Sequence, residues 1–136
     1  NLEQSSAVSC VVNFFGPSDF TKSYDKSVDA KDVLPLFFGG DLSTKRKEHI
    51  IGSPLYWVTP DAAPTLCLHG TADEYVAYEQ ATWIVDKLKA ATVEAELVGF
   101  EGEQDCEWVL VDLGDAIVHV MQQSAREHYQ LEDLWR

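Results

Sequence analysis

Apolar and polar positions follow one another along this chain in blocks whose period changes several times. Val8 to Phe15 is a short run rich in valine and phenylalanine, closed by Gly16-Pro17, and predicts a buried strand ended by a turn. Ser18 to Asp32 is polar without a clear period. Val33 to Phe38 is apolar and stops at Gly39-Gly40, the pattern of a short helix with a glycine stop. Ser43 to Ile51 predicts another short helix, capped by Ser43 or Thr44 and broken at Ser53-Pro54. Pro60 to Pro64 reads as a loop, and Thr65 to His69 as a second buried strand stopped at Gly70. From Glu79 to Ala91 the residues Ala81, Ile84, Val85 and Leu88 recur at helical spacing, so one face of that helix is apolar. Glu94 to Phe100 then alternates in the manner of a strand. A strand, a helix and a strand in this order predict a βαβ unit with parallel strands and a right-handed crossover.

Beyond Phe100 the character changes. Trp108 to Leu113 and Ala116 to Met121 are strand-like runs around Gly114-Asp115, a good signal for a tight hairpin. Ser124 with Glu127 three residues later reads as a capping box that starts a final helix reaching about Trp135. There is no internal repeat, no low-complexity segment and no linker. The expected fold class is α/β: a single domain over residues 1–136 with one mixed sheet of about five strands, a parallel βαβ unit plus a C-terminal antiparallel hairpin, flanked by helices.

Composition narrows the functions. A chain of 136 residues is long enough to bury one core. Its formal charge of -13 repels a phosphate backbone, which argues against direct nucleic-acid binding and leaves a basic protein partner open. No apolar run is long enough to cross a membrane, and no signal peptide is visible. The start at Asn1 rather than methionine reads as a trimmed or excised piece. Cys10, Cys67 and Cys106 are too scattered for a disulfide framework or a zinc knuckle. Cys10 and Cys67 sit in strand-like runs and are expected as buried thiols, which fits a reducing, cytoplasmic location. His49 reads as a surface residue, and His69 as a packing or turn histidine. Cys67 and His69 share a strand face, but no further ligands are placed beside them, so neither a metal nor a cofactor is expected.

Several motifs carry a family resemblance. Val11-Val12-Asn13-Phe14-Phe15-Gly16-Pro17-Ser18-Asp19, Phe38-Gly39-Gly40, the run from Ser53 to Pro64, and His69-Gly70-Thr71-Ala72-Asp73 together resemble the C-terminal part of α/β-hydrolases of the acetyl-esterase type. The resemblance covers about residues 7–100. It implies that Asp73 stands where that family keeps the acid of its catalytic triad. It also implies a serine in a Gly-x-Ser-x-Gly elbow and a glycine-rich oxyanion loop upstream of Val11, neither of which is in this chain. The histidine would follow the strand ending near Phe100. The sequence there is Glu101-Gly102-Glu103-Gln104-Asp105, without histidine. Asp73 is therefore expected to be a relic of a triad position, with no catalytic residue. The segment from Ser18 to Pro64, a lid-like excursion in that family, is expected to be loosely held or to pair with a second copy.

A second resemblance begins near Val98. The run Glu107-Trp108-Val109-Leu110-Val111-Asp112-Leu113-Gly114-Asp115, continuing to His119-Val120-Met121, and then Ala125-Arg126-Glu127-His128-Tyr129-Gln130-Leu131-Glu132-Asp133-Leu134-Trp135, resembles the ribosomal silencing factor, or Iojap-related, family. That resemblance implies a small mixed sheet with flanking helices, a homodimer, and no catalysis. It further implies binding to a basic protein of the large ribosomal subunit, which blocks subunit joining. The family's N-terminal half is replaced here by the hydrolase-like piece. The chain thus reads as a chimera spliced at matching βα-β units, with laboratory recombination or computational generation favoured over a natural origin.

In the tail, strand alternation places Trp108, Leu110 and Asp112 on one face and Val109, Val111 and Leu113 on the other. The valine face is the core. The Trp108 and Asp112 face either docks a basic partner or packs Trp108 under the final helix, with Asp112 supporting the turn. Asp115 has a local role in turn geometry, and His119, between valines, reads as a core histidine. Tyr129, Leu131, Leu134 and Trp135 crowd the last helix and cannot all share one face, so an exposed member marks an interface. Under the second resemblance the partner-binding residues are Trp108, Asp112, Asp115, Tyr129, Leu131 and Trp135. The expected function is that of a non-catalytic chimera that retains at most silencing-factor-like binding. The alternatives are a hydrolase remnant without nucleophile or histidine, and a scaffold without function.

Overall fold

The structure is a computed structural model that describes residues 5–100, 108–112 and 117–135; for residues 100, 108–112 and 135 it describes the backbone course alone. Among these residues, five strands and four α-helices follow in the order β1 (Val11–Phe14), α1 (Ala30–Phe38), α2 (Arg46–Gly52), β2 (Thr65–Gly70), α3 (Glu79–Ala90), β3 (Ala95–Phe100), β4 (Trp108–Asp112), β5 (Ile117–Met121) and α4 (Gln123–Tyr129). Short 3-10 turns occupy Phe20–Lys22, Pro54–Trp57 and Leu131–Trp135. The chain divides into two compact units, Asn1–Glu101 and Gly102–Arg136.

The first unit is built on a parallel sheet in the order β1-β2-β3, with Val11 beside Thr65 and Thr65 beside Ala95. The expected βαβ unit is β2-α3-β3. Its helix buries Ala81, Ile84, Val85 and Leu88, the face that the spacing predicts. These side chains close over Cys67 and Val93, with Leu55, Val58, Ala62 and Leu97 packed at the margin. Burying each large aliphatic side chain contributes roughly 1.5–3 kcal/mol. At Gly99 the Tyr78 ring lies so close that a Cβ would stand 2.7 Å from its hydroxyl, so Tyr78 and a larger residue could not both keep their places.

The second unit is the antiparallel hairpin β4-β5 followed by α4. Asp112 faces Ile117, the register that a turn centred on Gly114-Asp115 requires, although residues 113–116 lie outside the described residues. The one mixed sheet expected thus resolves into two hydrogen-bonded sheets, of three strands and of two.

Local chemistry moves several boundaries. α1 begins at Ala30, ahead of the apolar run, because Ser27 Oγ accepts hydrogen bonds from the Asp29 and Ala30 backbone. It stops at Gly39, whose φ of 74° is the left-handed conformation glycine adopts freely. α2 begins at Arg46 because Ser43 and Thr44 act as donors to the Asp41 carboxylate rather than as caps. The capping box at Ser124 does not form. α4 starts at Gln123, so Ser124 lies inside the first turn, and Gln123 donates to Glu127 instead. The expected single last helix is split, because Gln130 takes a left-handed conformation with φ of 44° before the Leu131–Trp135 turn.

The segment from Ser18 to Pro64, expected to be loosely held or to pair with a second copy, is fastened between Ser18 and Ser53 by buried polar groups. Gln80 on α3 is the hub: its Oε1 accepts from Ser18 N at 3.0 Å and Asp19 N at 2.7 Å, and its Nε2 donates to Asp19 O and Ser23 Oγ. Ser53 Oγ accepts from Phe20 N and donates to His49 O. His49, expected at the surface, is fully buried. Its Nδ1 lies 2.7 Å from Lys45 O, which can only accept, so Nδ1 carries the proton and Nε2 accepts from the Tyr24 hydroxyl. Cys67 is buried as expected, whereas Cys10, one residue before β1, is exposed.

Asp19 is also fully buried. Burial by itself would raise its carboxyl, but hydrogen bonds from the Thr21 hydroxyl and backbone, together with Lys22, outweigh this and hold it below the ordinary aspartate value. A carboxyl lowered in the folded state contributes stability that is complete above its unfolded value, about 3.9, and is lost as pH falls towards the folded value. Urea unfolding between pH 7 and pH 3 should therefore show a loss of stability below about pH 4 that is shallower in Asp19→Asn. The same slope in both proteins would contradict this assignment.

Candidate functional site

The Asp73 loop follows β2. The strand ends at Gly70, whose carbonyl accepts from Asp73 N. Asp73 Oδ1 then accepts from Tyr75 N at 2.9 Å and Val76 N at 2.8 Å, so this oxygen is occupied in shaping the loop. The second oxygen lies 3.7 Å from His69 Nε2. That nitrogen sits closer, at 2.6 Å, to the Val76 carbonyl, so it bears the proton and donates it there. His69 is buried, with Tyr78 packed edge-on to its ring, and its Nδ1 has no partner among the described residues.

This geometry resembles an acid beside a histidine, but the histidine's lone pair is enclosed. General-base catalysis needs a lone pair within reach of a substrate proton. The lone pair of His69 is on Nδ1, which is closed off from solvent. Cys67, two residues earlier, is no better as a nucleophile: burial pushes its thiol up, an effect only partly offset by the Asn13 amide 3.7 Å away. Among the described residues no group of three His, Cys, Asp or Glu side chains is arranged to hold a metal ion.

The tail residues form a different kind of site. Trp108 and Asp112 occupy alternate positions of β4, opposite Met121 and Ile117, and Leu110 stands opposite His119. Their side chains, that of Trp135 and the whole of Asp115 lie outside the described residues. Tyr129 is 53 % exposed at the end of α4, with its ring edge-on to His128. Leu131 is half-buried and lines a hollow with Ile117, His119, Met121 and Arg126. His119, expected in the core, is exposed, because β5 shows much of its length to solvent. Leu134 is 75 % exposed, the exposed leucine that the crowding of the last helix anticipates. Sequence reasoning missed Ile117 and Val120, which are exposed on β5; a strand apolar at every position but His119 gives no sign of which face lacks cover.

Fold and site define a hydrolase-type α/β unit, with one triad-like carboxylate, joined to a second small α/β unit. Residues 1–88 match the family described as BD-FAE, and residues 69–136 match the family described as ribosomal silencing factor during starvation. The chain belongs to both families, one in each part, and the two matches share residues 69–88. The silencing-factor match therefore begins well before Val98 and takes in α3 and β3.

Among curated relatives, the chain is 46% identical over 66 residues to the ribosomal silencing factor RsfS of Haemophilus influenzae, covering 48% of this chain and 62% of that protein. It is 53% identical over 49 residues to that of Chromobacterium violaceum, covering 36% of this chain and 38% of that one. With that of Bacillus subtilis it shares 36% over 91 residues, 67% of this chain and 75% of that one. The chain thus spans less than two thirds of the first two relatives.

Solved structures it resembles include an esterase and a peptidase. A truncated carbohydrate esterase from gut microbiota superposes with a TM-score of 0.64 at 23% identity, over 74% of this chain and 36% of that one. A puromycin-hydrolyzing peptidase of Mycobacterium tuberculosis does so with 0.62 at 26% identity, over 74% and 15%. No helix among the described residues is long and apolar enough to cross a membrane.

If Asp73 holds the loop, Asp73→Ala should destabilise the first unit by about 1–3 kcal/mol in urea unfolding, because two backbone amides lose a charged acceptor. Asp73→Asn keeps an acceptor oxygen and should cost clearly less. Equal effects would contradict a loop-shaping role.

Proposed function

We propose that this chain is a non-catalytic binding protein, a chimera produced by recombination or design, whose activity resides in its silencing-factor part. In this reading it binds a basic protein of the large ribosomal subunit and blocks subunit joining. The observation that carries it is the family match of residues 69–136, with 46% identity over 66 residues to one ribosomal silencing factor. The net charge of -13 suits a basic partner. Trp108, Asp112 and Asp115 on the hairpin, with Tyr129, Leu131 and Trp135 after it, form the proposed contact surface; exposed Ile117 and Leu134 extend its apolar area. The hydrolase-like part serves as a scaffold for β2-α3-β3.

A second reading, a residual acyl hydrolase, draws on the Asp73 loop and the esterase-like neighbours. Against it stand the occupied Asp73 oxygen, the enclosed His69 lone pair and the absence of histidine from Glu101 to Asp105.

Co-sedimentation with purified bacterial large subunits tests the first reading. The protein should pellet with them, and Trp108→Ala and Asp112→Ala should each weaken binding by about tenfold or more, as for contacts at the centre of an interface. A folded protein that does not pellet would overturn it. In parallel, turnover of p-nitrophenyl acetate should equal background and be unchanged by Asp73→Asn; turnover abolished by that substitution would favour the second reading.

A further inference from the structure

We propose that the hydrolase-like unit carries a binding site for a small aromatic molecule without negative charge, in the cavity between α1 and the loop that follows Asp73. The cavity measures about 300 Å³ and lies wholly within the first unit. That size is at the lower end of small-molecule sites, which run from about 300 to 1,000 Å³. Phe20, Ala30, Val33, Leu34, Phe37 and Val76 supply its apolar wall. Ala30 and Leu34 are buried, at 3 % and 8 % exposure, whereas Val33 and Phe37 are 48 % and 74 % exposed. The cavity therefore has a closed floor and an open, apolar rim. The Phe37 ring lies 6.4 Å from that of Phe20 and 4.8 Å from that of Phe38, so the rim is aromatic and suits a planar ring.

The polar side chains around the cavity determine the charge of its occupant. Gln80 is engaged with Ser18, Asp19 and Ser23. Ser23 donates to the Asp19 carbonyl. Ser27 donates to Asp29 Oδ1 and accepts from the Asp29 and Ala30 backbone. Lys26 is paired with Glu79. An anionic ligand would have to take Lys26 from Glu79 or be desolvated beside the Asp29 carboxylate, which also lines the cavity, and either is costly. A neutral ring gives up nothing on entering and removes exposed apolar surface from water.

The opposite wall gives Asp73 a part in this site. Tyr75 and Val76, whose amides bind Asp73 Oδ1, both line the cavity. Asp73 is thus a positioning residue for the wall, whether or not the ribosome-binding reading holds.

The test is titration of the whole, isotope-labelled protein with toluene and with benzoate, followed by amide chemical shifts. Toluene should perturb amides within residues 20–37 and 75–80, and benzoate should bind at least about tenfold more weakly, a difference of about 1.4 kcal/mol. Ala30→Phe fills the floor and should abolish the toluene response. Phe37→Ala removes a mostly exposed ring, leaves the core intact, and should weaken toluene binding about tenfold. The proposal is overturned if toluene leaves those amides unmoved or benzoate binds as well. It is also overturned if Phe37→Ala leaves toluene affinity unchanged, and this last result decides the matter even where Ala30→Phe does not fold.

Discussion

A glutamine buried on an amphipathic helix organises the first unit. Gln80 sits beside the apolar face of α3 at 1 % exposure. Such a side chain is tolerated only when its amide is satisfied on both sides. Its oxygen and nitrogen each take two partners in the segment from Ser18 to Ser23. From there Ser53 and His49 carry the bonding on to α2 and the Tyr24 hydroxyl. A long excursion between β1 and β2, with few aliphatic residues in its core, is thereby fixed to the one helix that has a large core. The cavity beside α1 depends on that attachment, since Ser23, Ser27 and Gln80 all border it.

The apolar framework was legible in the sequence because hydrophobic period marks where elements lie, although the burial expected of the strand from Val8 to Phe15 fails, since β1 is largely exposed. The strands near Val11, Thr65, Ala95, Trp108 and Ile117, the four-residue face of α3 and the hairpin register all follow from it. The polar interior was not legible. His49 stands in the charged stretch Arg46-Lys47-Glu48 and gives no sign that tertiary contacts enclose it between Phe38 and Tyr24. Cys10 fails in the opposite direction: it belongs to an apolar run, but β1 begins one residue later and its residues are largely exposed. Ser124 and Glu127 satisfy a capping rule that a competing Gln123–Glu127 bond overrides. The motif around Asp73 was readable as a triad relic. The use of its oxygens in the loop needed coordinates, because a sequence does not say where a carboxylate points.

The two families meet where their physics coincides. A β-strand, a helix with a four-residue apolar face and a second parallel strand form a closed packing unit, with Cys67, Ala81, Ile84, Val85, Leu88 and Val93 as its core. The overlap of the two matches at residues 69–88 falls within this unit. Each match covers a part of it: one runs through β2 and most of α3, the other from the end of β2 through α3 and β3. Chemistry and recognition are divided accordingly. The carboxylate of a catalytic motif remains on one side of the shared unit as loop architecture, and the apolar, acidic surface proposed for docking lies on the other side in sequence.

The proposed action is the occupation of a ribosomal surface. The most direct measurement is the light scattering of small and large bacterial subunits as they join when magnesium is raised, with and without the folded protein. A dose-dependent fall in joined ribosomes is expected, and it should disappear when the protein is added after joining is complete. Unchanged joining at saturating protein would contradict it.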